Sequence, residues 1–269
     1  MSRIIYDGRI RVVHTDSSVL EDVSLQKSAW TEDVRANNYA RLREICEFEN
    51  GVPIAKNLAI VGFSQGNNSF RKISKPDDNI LVNKKDGNVI ITDTTISLMG
   101  WAADCLLIAF ASEDQQVVAA CHASVISLNT GVLDSVVAAF AEYGYDPCDV
   151  TAYMGACIGV DSYEYEYERA LKDFSDFKDF ILVEKESEKV HLDLYGAAKS
   201  RLKELGFAKI KDIFKESERD TMTARDKDGE FMFPSYRRDV AVNKDGEVIA
   251  HTNGQYGLVI QKADLEDVF

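Results

Sequence analysis

From Cys105 to His122 the chain is apolar apart from one polar knot, Ser112-Glu113-Asp114-Gln115 followed by Gln116. Two apolar runs flanking a four-residue turn read as the strands of one buried hairpin. If Ala111 faces Gln116, Cys105 falls directly opposite His122, with Cβ atoms about 4.5–5.5 Å apart on one face. A thiol and an imidazole so placed can share a metal ion or work as a Cys/His nucleophile pair. They can equally be ordinary contents of a buried hairpin, because free cysteine is among the most buried residue types.

Around this hairpin the hydrophobic pattern predicts helices and strands in alternation. Thr31 can cap a helix running to Cys46, with Val34, Leu42 and Ile45 as a partial apolar stripe. Residues 129–143 carry Val132, Leu133, Val136, Val137 and Phe140 at helical spacing, with Gly144 as a stop. Residues 193–205 do the same with Leu194, Ala197, Ala198, Leu202 and Leu205 before Gly206. Short apolar runs predict strands at 88–93, 105–111, 117–121, 151–154, 180–183 and 257–261. The expected class is α/β, mixed sheets covered by helices. With no repeat and no Pro/Gly/Ser linker, one domain spanning 1–269 is expected. The charged stretches 184–189 and 215–230 read as solvated loops or helix surface, with no chemistry assigned.

Composition removes several classes of function. The 269 residues carry 31 Lys plus Arg against 45 Asp plus Glu, a net charge of −14, which repels phosphate backbones and anionic lipid and disfavours nucleic-acid binding. No apolar stretch is long enough for a membrane span or a secretory leader, so a cytoplasmic protein is expected. Five cysteines without a CxxC pair argue for reduced thiols rather than disulfides or a zinc ribbon. Four histidines are too few for a blue-copper site plus a trinuclear centre, so a copper cluster is not expected. Oligomeric state is not legible.

Five separated blocks carry a resemblance to a known family. They are Ala103-Asp104-Cys105; His122-Ala123 with the helix from Gly131 to Tyr143; Gly155-Ala156-Cys157-Ile158-Gly159 with Tyr163-Glu164; Leu192-Asp193-Leu194; and Ser235-Tyr236-Arg237-Arg238-Asp239. Val34 and Asn37 match a similar early helix. In this order and spacing the blocks resemble the YfiH-like laccase-domain proteins, labelled polyphenol oxidases or purine nucleoside phosphorylases. The resemblance implies one α/β domain related to cytotoxic necrotizing factor-type cysteine hydrolases. It also implies one zinc ion held by one Cys and two His, and phosphorolysis or deamination of purine nucleosides with phosphate as co-substrate.

Carried over residue by residue, the resemblance makes Cys105, His122 and Arg237 the catalytic candidates. Gln65, Tyr163, Arg237 and Arg238 become substrate-binding candidates, and Cys105, His122 and Gln65 the metal-ligand candidates. Gln65, in Phe63-Ser64-Gln65-Gly66, stands where the family has a histidine, and a neutral amide is a poor zinc ligand. Ser124-Val125-Ile126-Ser127 replaces Gly-Trp-Arg-Gly and removes an arginine suited to phosphate. Asp220-Thr221 replaces Cys-Thr. Arg237 and Arg238 read as phosphate binders or as partners of Asp239 or another acid. The alternating Tyr163–Glu168 run reads as a pocket wall or an exposed edge. His14, His191 and His251 match no ligand block. Three readings follow: a nucleoside enzyme with an altered zinc site, a metal-free Cys/His hydrolase, and a non-catalytic paralogue that binds a nucleoside-like ligand.

Overall fold

The structure is a computed structural model and describes residues 3–15, 58–61, 68–74, 80–81, 87–183, 189–242, 248–251 and 256–262. The expected helix at 31–46 and the candidate Gln65 lie outside these residues. In chain order the first strands are β1 (Arg3–Asp7), β2 (Ile10–His14), β3 (Leu58–Val61), β4 (Phe70–Lys72), β5 (Ile80–Leu81), β6 (Val89–Thr92), β7 (Ser97–Ala102), β8 (Leu106–Ser112) and β9 (Val118–Ala123). Helices α1 (Val125–Asn129) and α2 (Val132–Ala141) follow, then β10 (Val150–Met154), β11 (Glu164–Glu166), α3 (Tyr167–Asp173), β12 (Ile181–Val183) and β13 (Lys189–Leu192). The last elements are α4 (Leu194–Glu204), β14 (Lys209–Asp212), α5 (Tyr236–Asp239), β15 (Val240–Val242), β16 (Val248–His251) and β17 (Tyr256–Lys262).

Two six-stranded mixed sheets form the body, in the orders β1-β2-β17-β7-β3-β5 and β14-β10-β8-β9-β6-β4. The hairpin β8–β9 lies at the centre of the second, and alternation along it splits its side chains between two cores. Leu107, Ala109 and Ala111, with Val118 and Ala120, join Ile10, Val12, Leu98, Leu258 and Ile260 between the sheets. Leu106, Ile108 and Phe110, with Ala119, Cys121 and Ala123, pack on Val132, Leu133, Val136, Phe140, Leu194 and Leu202 of the helical layer. Burial on both faces explains why the hairpin sequence shows no polar alternation. Phe110 is fully buried, with Phe140 and Phe207 ring centroids 6.4 and 5.6 Å away, so its truncation to alanine should cost about 3–5 kcal/mol.

The mixed α/β class holds, and the predicted strands at 88–93, 105–111, 117–121, 151–154, 180–183 and 257–261 coincide with β6, β8, β9, β10, β12 and β17 to within a residue or two. The helix expected over 193–205 is α4, capped by Asp193, whose side chain accepts the Gly196 N–H at 2.7 Å, and followed by Gly206 at φ 95°.

The helix expected over 129–143 is α2, which starts three residues later than expected because Thr130 closes the separate short helix α1 and Gly131, at φ 91°, starts α2 anew. The Ser124–Ser127 run opens α1 as a buried reciprocal cap: Ser127 N–H donates to Ser124 Oγ at 3.1 Å, and Ser124 N–H to Ser127 Oγ at 2.8 Å. Tyr163–Glu168 resolves into edge strand β11 of a three-stranded sheet, β11-β13-β12, and the start of α3.

The hairpin register differs from expectation by one residue on each strand. Ser112 pairs beyond the expected end, with its N–H donating to Val117 O at 2.9 Å, and Ala111 faces Val118. The Ser112 hydroxyl accepts the N–H groups of Gln116 and Val117, at 3.1 and 3.0 Å, which moves the four-residue loop to 113–116. His122 therefore faces Leu107, not Cys105, and Cys105 sits one residue before β8 begins.

Candidate active site at the end of the sandwich

His122 projects with Leu107 onto the inner face of the second sheet, and half-buried Cys105 packs against the same inner core. Thiol and imidazole thus share one face at one end of the two-sheet body, as diagonal rather than direct neighbours. At the same end Tyr256, the first residue of β17, donates its hydroxyl to Cys105 O at 2.5 Å. Strand β3 also ends there, with Val61 paired to Gly100 of β7, whose nearest neighbour across the core is Leu107.

Electrostatics keep both groups neutral. Burial, reinforced by the neighbouring Asp104 carboxylate, pushes the Cys105 thiol up to about 12. Burial lowers the His122 imidazole to about 4, so it stays deprotonated through the neutral range with a lone pair on its ring. A neutral imidazole and a thiol that loses its proton to an incoming cation form a donor pair suited to zinc. Among the described residues no group of three His, Cys, Asp or Glu side chains is arranged to hold a metal, so Cys105 and His122 would supply two donors where catalytic zinc has three from protein. Gln65 is the sequence candidate for the third.

Asp104 ties this end to two other segments. It adopts a left-handed backbone, φ 81°, immediately before Cys105, a conformation that Asp tolerates better than most residues. Its Oδ1 accepts the Thr221 hydroxyl at 2.7 Å, its Oδ2 the Arg237 backbone N–H at 2.9 Å, and its carbonyl the Ile158 N–H at 2.9 Å. Burial raises the Asp104 carboxyl above the ordinary range, against the lowering effect of those hydrogen bonds.

The two arginines of the tail motif divide sharply. Arg237 is exposed; its guanidinium lies 4.7 Å from the Tyr163 ring centroid and 5.9 Å from that of Tyr165, and Nη1 donates to Glu164 O at 2.6 Å. Its Nε and Nη2 have no acceptor among the described residues. Arg238 uses all five donors inside the fold. Nε and Nη2 grip Asp239 at 2.8 and 3.0 Å, Nη1 donates to Thr221 O and Met222 O at 2.9 and 3.1 Å, and Nη2 also reaches Phe233 O at 2.6 Å. Its guanidinium also covers the Phe231 ring at 3.8 Å. That network matches the ion-pair reading of Arg238 and leaves it no donor for phosphate.

Tyr163 lies within electrostatic reach of Cys105 and Asp104, and burial raises its phenol far above the usual range, so the hydroxyl stays protonated. Cys105, His122, Tyr163 and Arg237 therefore gather around one end of the sandwich, while Arg238 belongs to the scaffold. Asp220 does too. Although burial alone would raise it, hydrogen bonds from Ser162 and Thr223 hydroxyls at 2.7 Å, Gly159 N–H at 2.8 Å and Met222 N–H at 3.0 Å hold its carboxyl low. It thereby fastens the Gly155–Gly159 loop to the segment bearing Thr221.

Sequence reasoning missed Asp104, Thr221, Tyr256 and His14. His14 is fully buried under the site: its Nε2 accepts Ala156 N–H at 3.1 Å, Nδ1 donates to Thr15 O at 2.9 Å, and its ring stacks on Tyr256 at 5.3 Å. Asp104 was visible as the middle residue of Ala103-Asp104-Cys105; a polar residue between apolar runs beside a candidate ligand was the signal. Asp220-Thr221 was visible only as a departure from the family's Cys-Thr, inside the charged stretch 215–230 to which no chemistry was assigned.

A family model described as multi-copper polyphenol oxidoreductase laccase matches residues 20–251. Purine nucleoside phosphorylase RC0672 of Rickettsia conorii (strain Malish 7) is 27% identical over 191 residues, 68% of this chain and 77% of that protein. Purine nucleoside phosphorylase YfiH of Escherichia coli K12 is 33% identical over 138 residues, about half of each chain (51% and 52%). Protein NMB0706 of Neisseria meningitidis superposes with a TM-score of 0.68 at 20% identity, covering 98% of this chain and 99% of its own. The hypothetical protein YfiH of Bacillus licheniformis gives 0.69 at 17% identity over 94% and 92%. YlmD of Geobacillus stearothermophilus gives 0.69 at 17% over 96% and 93%.

Proposed function

Because the chain belongs to the YfiH-like laccase-domain family, we propose that it acts on purine nucleosides, by phosphorolysis or deamination, at the Cys105/His122 end of the sandwich. The observation that carries this reading is the gathering of Cys105, His122, Tyr163 and Arg237 at that one end. Cys105 and His122 are the described residues that would hold a zinc ion, with Gln65 or water beside them. A bound zinc supplies a Lewis acid for activating water or phosphate.

The chain's own groups do the rest. The outward Nε and Nη2 of Arg237 present paired donors suited to two phosphate oxygens. Tyr163, held under that guanidinium, offers an aromatic wall on which a base can stack, and its protonated hydroxyl can donate but not act as a base. A cytoplasmic setting is part of this proposal.

The test is incubation of the purified protein with inosine or adenosine, with and without phosphate, alongside elemental mass spectrometry of the unsubstituted protein and Cys105→Ala. Phosphate-dependent release of hypoxanthine or adenine, with near-stoichiometric zinc lost in the variant, is expected. Conversion of adenosine to inosine without phosphate identifies the deaminase form. Metal-free protein that turns over neither nucleoside overturns the reading.

A second reading, a paralogue that binds a nucleoside without converting it, is favoured by the fate of two motif positions. Ser124 and Ser127 cap a helix where the family carries an arginine, and Arg238 is used up by the scaffold, leaving Arg237 as the anion-binding candidate. Saturable nucleoside binding without turnover selects it. The metal-free Cys/His hydrolase, with its cytotoxic necrotizing factor kinship, is the weakest of the three. A thiol at about 12 holds on the order of one part in 10⁵ as thiolate at neutral pH. Slow alkylation of Cys105 by iodoacetamide is the expected result.

A further inference from the structure

Asp104 stands at a junction of four chain segments. Its carbonyl accepts Ile158 N–H, its two carboxylate oxygens accept the Thr221 hydroxyl and the Arg237 backbone N–H, and its left-handed backbone turns the chain directly into Cys105. Asp104 is 7% exposed, so both hydrogen bonds are screened from water, and each is charge-assisted. Arg237 is the second residue of the four-residue helix α5, and its N–H is one of those in the first turn that the helix cannot satisfy internally. The Asp104 carboxylate takes that N–H and so fixes where the Arg237 guanidinium begins its reach over Tyr163.

We propose that Asp104 is a positioning residue that couples the two ends of the site, holding Arg237 at a set distance from Cys105 so that an anion bound by the guanidinium faces the Cys105/His122 pair. The inference rests on the nucleoside reading for its substrate and on the two carboxylate hydrogen bonds for its geometry. Asp104 touches neither substrate nor metal in this scheme.

The conservative variant separates this role from bulk stability. In Asp104→Asn the side-chain oxygen still accepts Arg237 N–H, the amide nitrogen meets a Thr221 hydroxyl free to rotate and accept, and asparagine tolerates the positive φ. Asp104→Ala removes both hydrogen bonds. In the phosphorolysis assay Asp104→Ala should raise the KM for phosphate at least about tenfold, the scale of a lost charge-assisted hydrogen bond, with kcat changed much less and zinc content unchanged. Asp104→Asn should restore the phosphate KM to within about threefold of the unsubstituted protein. Arg237→Ala should match Asp104→Ala, and the double variant should be no worse than Arg237→Ala alone.

Amide hydrogen exchange over residues 235–239 gives a readout without turnover. It should quicken at least about tenfold in Asp104→Ala and recover in Asp104→Asn. A folded Asp104→Ala protein with an unchanged phosphate KM overturns the proposal. So does an Asp104→Asn variant as impaired as the alanine, which would make charge rather than geometry the cause. If the unsubstituted protein shows no phosphate-dependent cleavage, the phosphorolysis form of the nucleoside reading fails by itself. The exchange experiment then decides alone: unchanged exchange in Asp104→Ala overturns the positioning role, and quickened exchange rescued by asparagine sustains it.

Discussion

Arg237 and Arg238 are adjacent in one short helix, yet they serve different parts of the molecule. Arg238 is wrapped by Thr221, Met222, Phe233 and Asp239 and has every side-chain donor engaged, whereas the Arg237 guanidinium makes one hydrogen bond among the described residues, lies over two tyrosine rings and keeps its other donors unused there. The same contrast runs through the whole region. Asp220, Arg238 and His14 belong to a lock whose polar atoms are satisfied by the fold, and Cys105, Tyr163 and Arg237 to a mouth. A motif containing two arginines therefore does not tell which one meets a ligand; the disposition of their N–H groups does.

The contrast can be broken by substitution, and the largest effect should fall on the lock. Arg238→Ala leaves three carbonyls and the Asp239 carboxylate, whose side chain is 10% exposed, without their cation, and should cost about 3–5 kcal/mol in denaturant unfolding. A variant that keeps its stability but loses nucleoside or phosphate binding would place Arg238 in the mouth after all.

Acid is the next probe. Burial depresses His14 and His122 to about 4, so below about pH 6.5 the unfolded chain takes up protons that the fold refuses. Stability should fall as pH drops from about 6.5 to about 4, by about 3 kcal/mol for each histidine, and the His14 share of that slope should vanish in His14→Gln. Denaturant melts at pH 7, 6, 5 and 4.5 measure it, and a flat profile would contradict the buried neutral state.

Asp220→Ala should cost about 2 kcal/mol by freeing the hydrogen bonds that join the Gly155–Gly159 loop to residues 220–223. Arg237→Ala should be the mildest, within about 1 kcal/mol by the same melts, since its loss leaves one surface carbonyl to water. Its effect should appear in phosphate binding by titration calorimetry, which sharpens the contrast with Arg238.

Much of the second sheet was legible in the sequence, because strands buried on both faces, such as β8 and β9, leave unbroken apolar runs. The first sheet was mostly not. Strand β2 mixes Arg11 and His14 with Ile10, Val12 and Val13, and β7 carries Ser97 and Gly100, so neither stands out locally; both are buried by partners distant in the chain. The hairpin register turned on the Ser112 hydroxyl, which decides between two equally long loops. At the site, residue types and motif order pointed to Cys105, His122, Tyr163 and Arg237. The roles of Asp104 and Thr221 depend on a hydrogen bond across more than a hundred residues, and that of Asp220 on bonds to Gly159 and Ser162 about sixty residues away, which no local pattern encodes.

The position of β17 carries a consequence for synthesis. It lies between β2 and β7, so that Leu258 pairs with both His14 and Gly100. The hairpin β1–β2 emerges from the ribosome early but cannot join the sheet until Tyr256–Lys262 has followed it out. Until then its apolar residues Ile10, Val12 and Val13 lack their partner strand, and that edge is open to pairing with other chains.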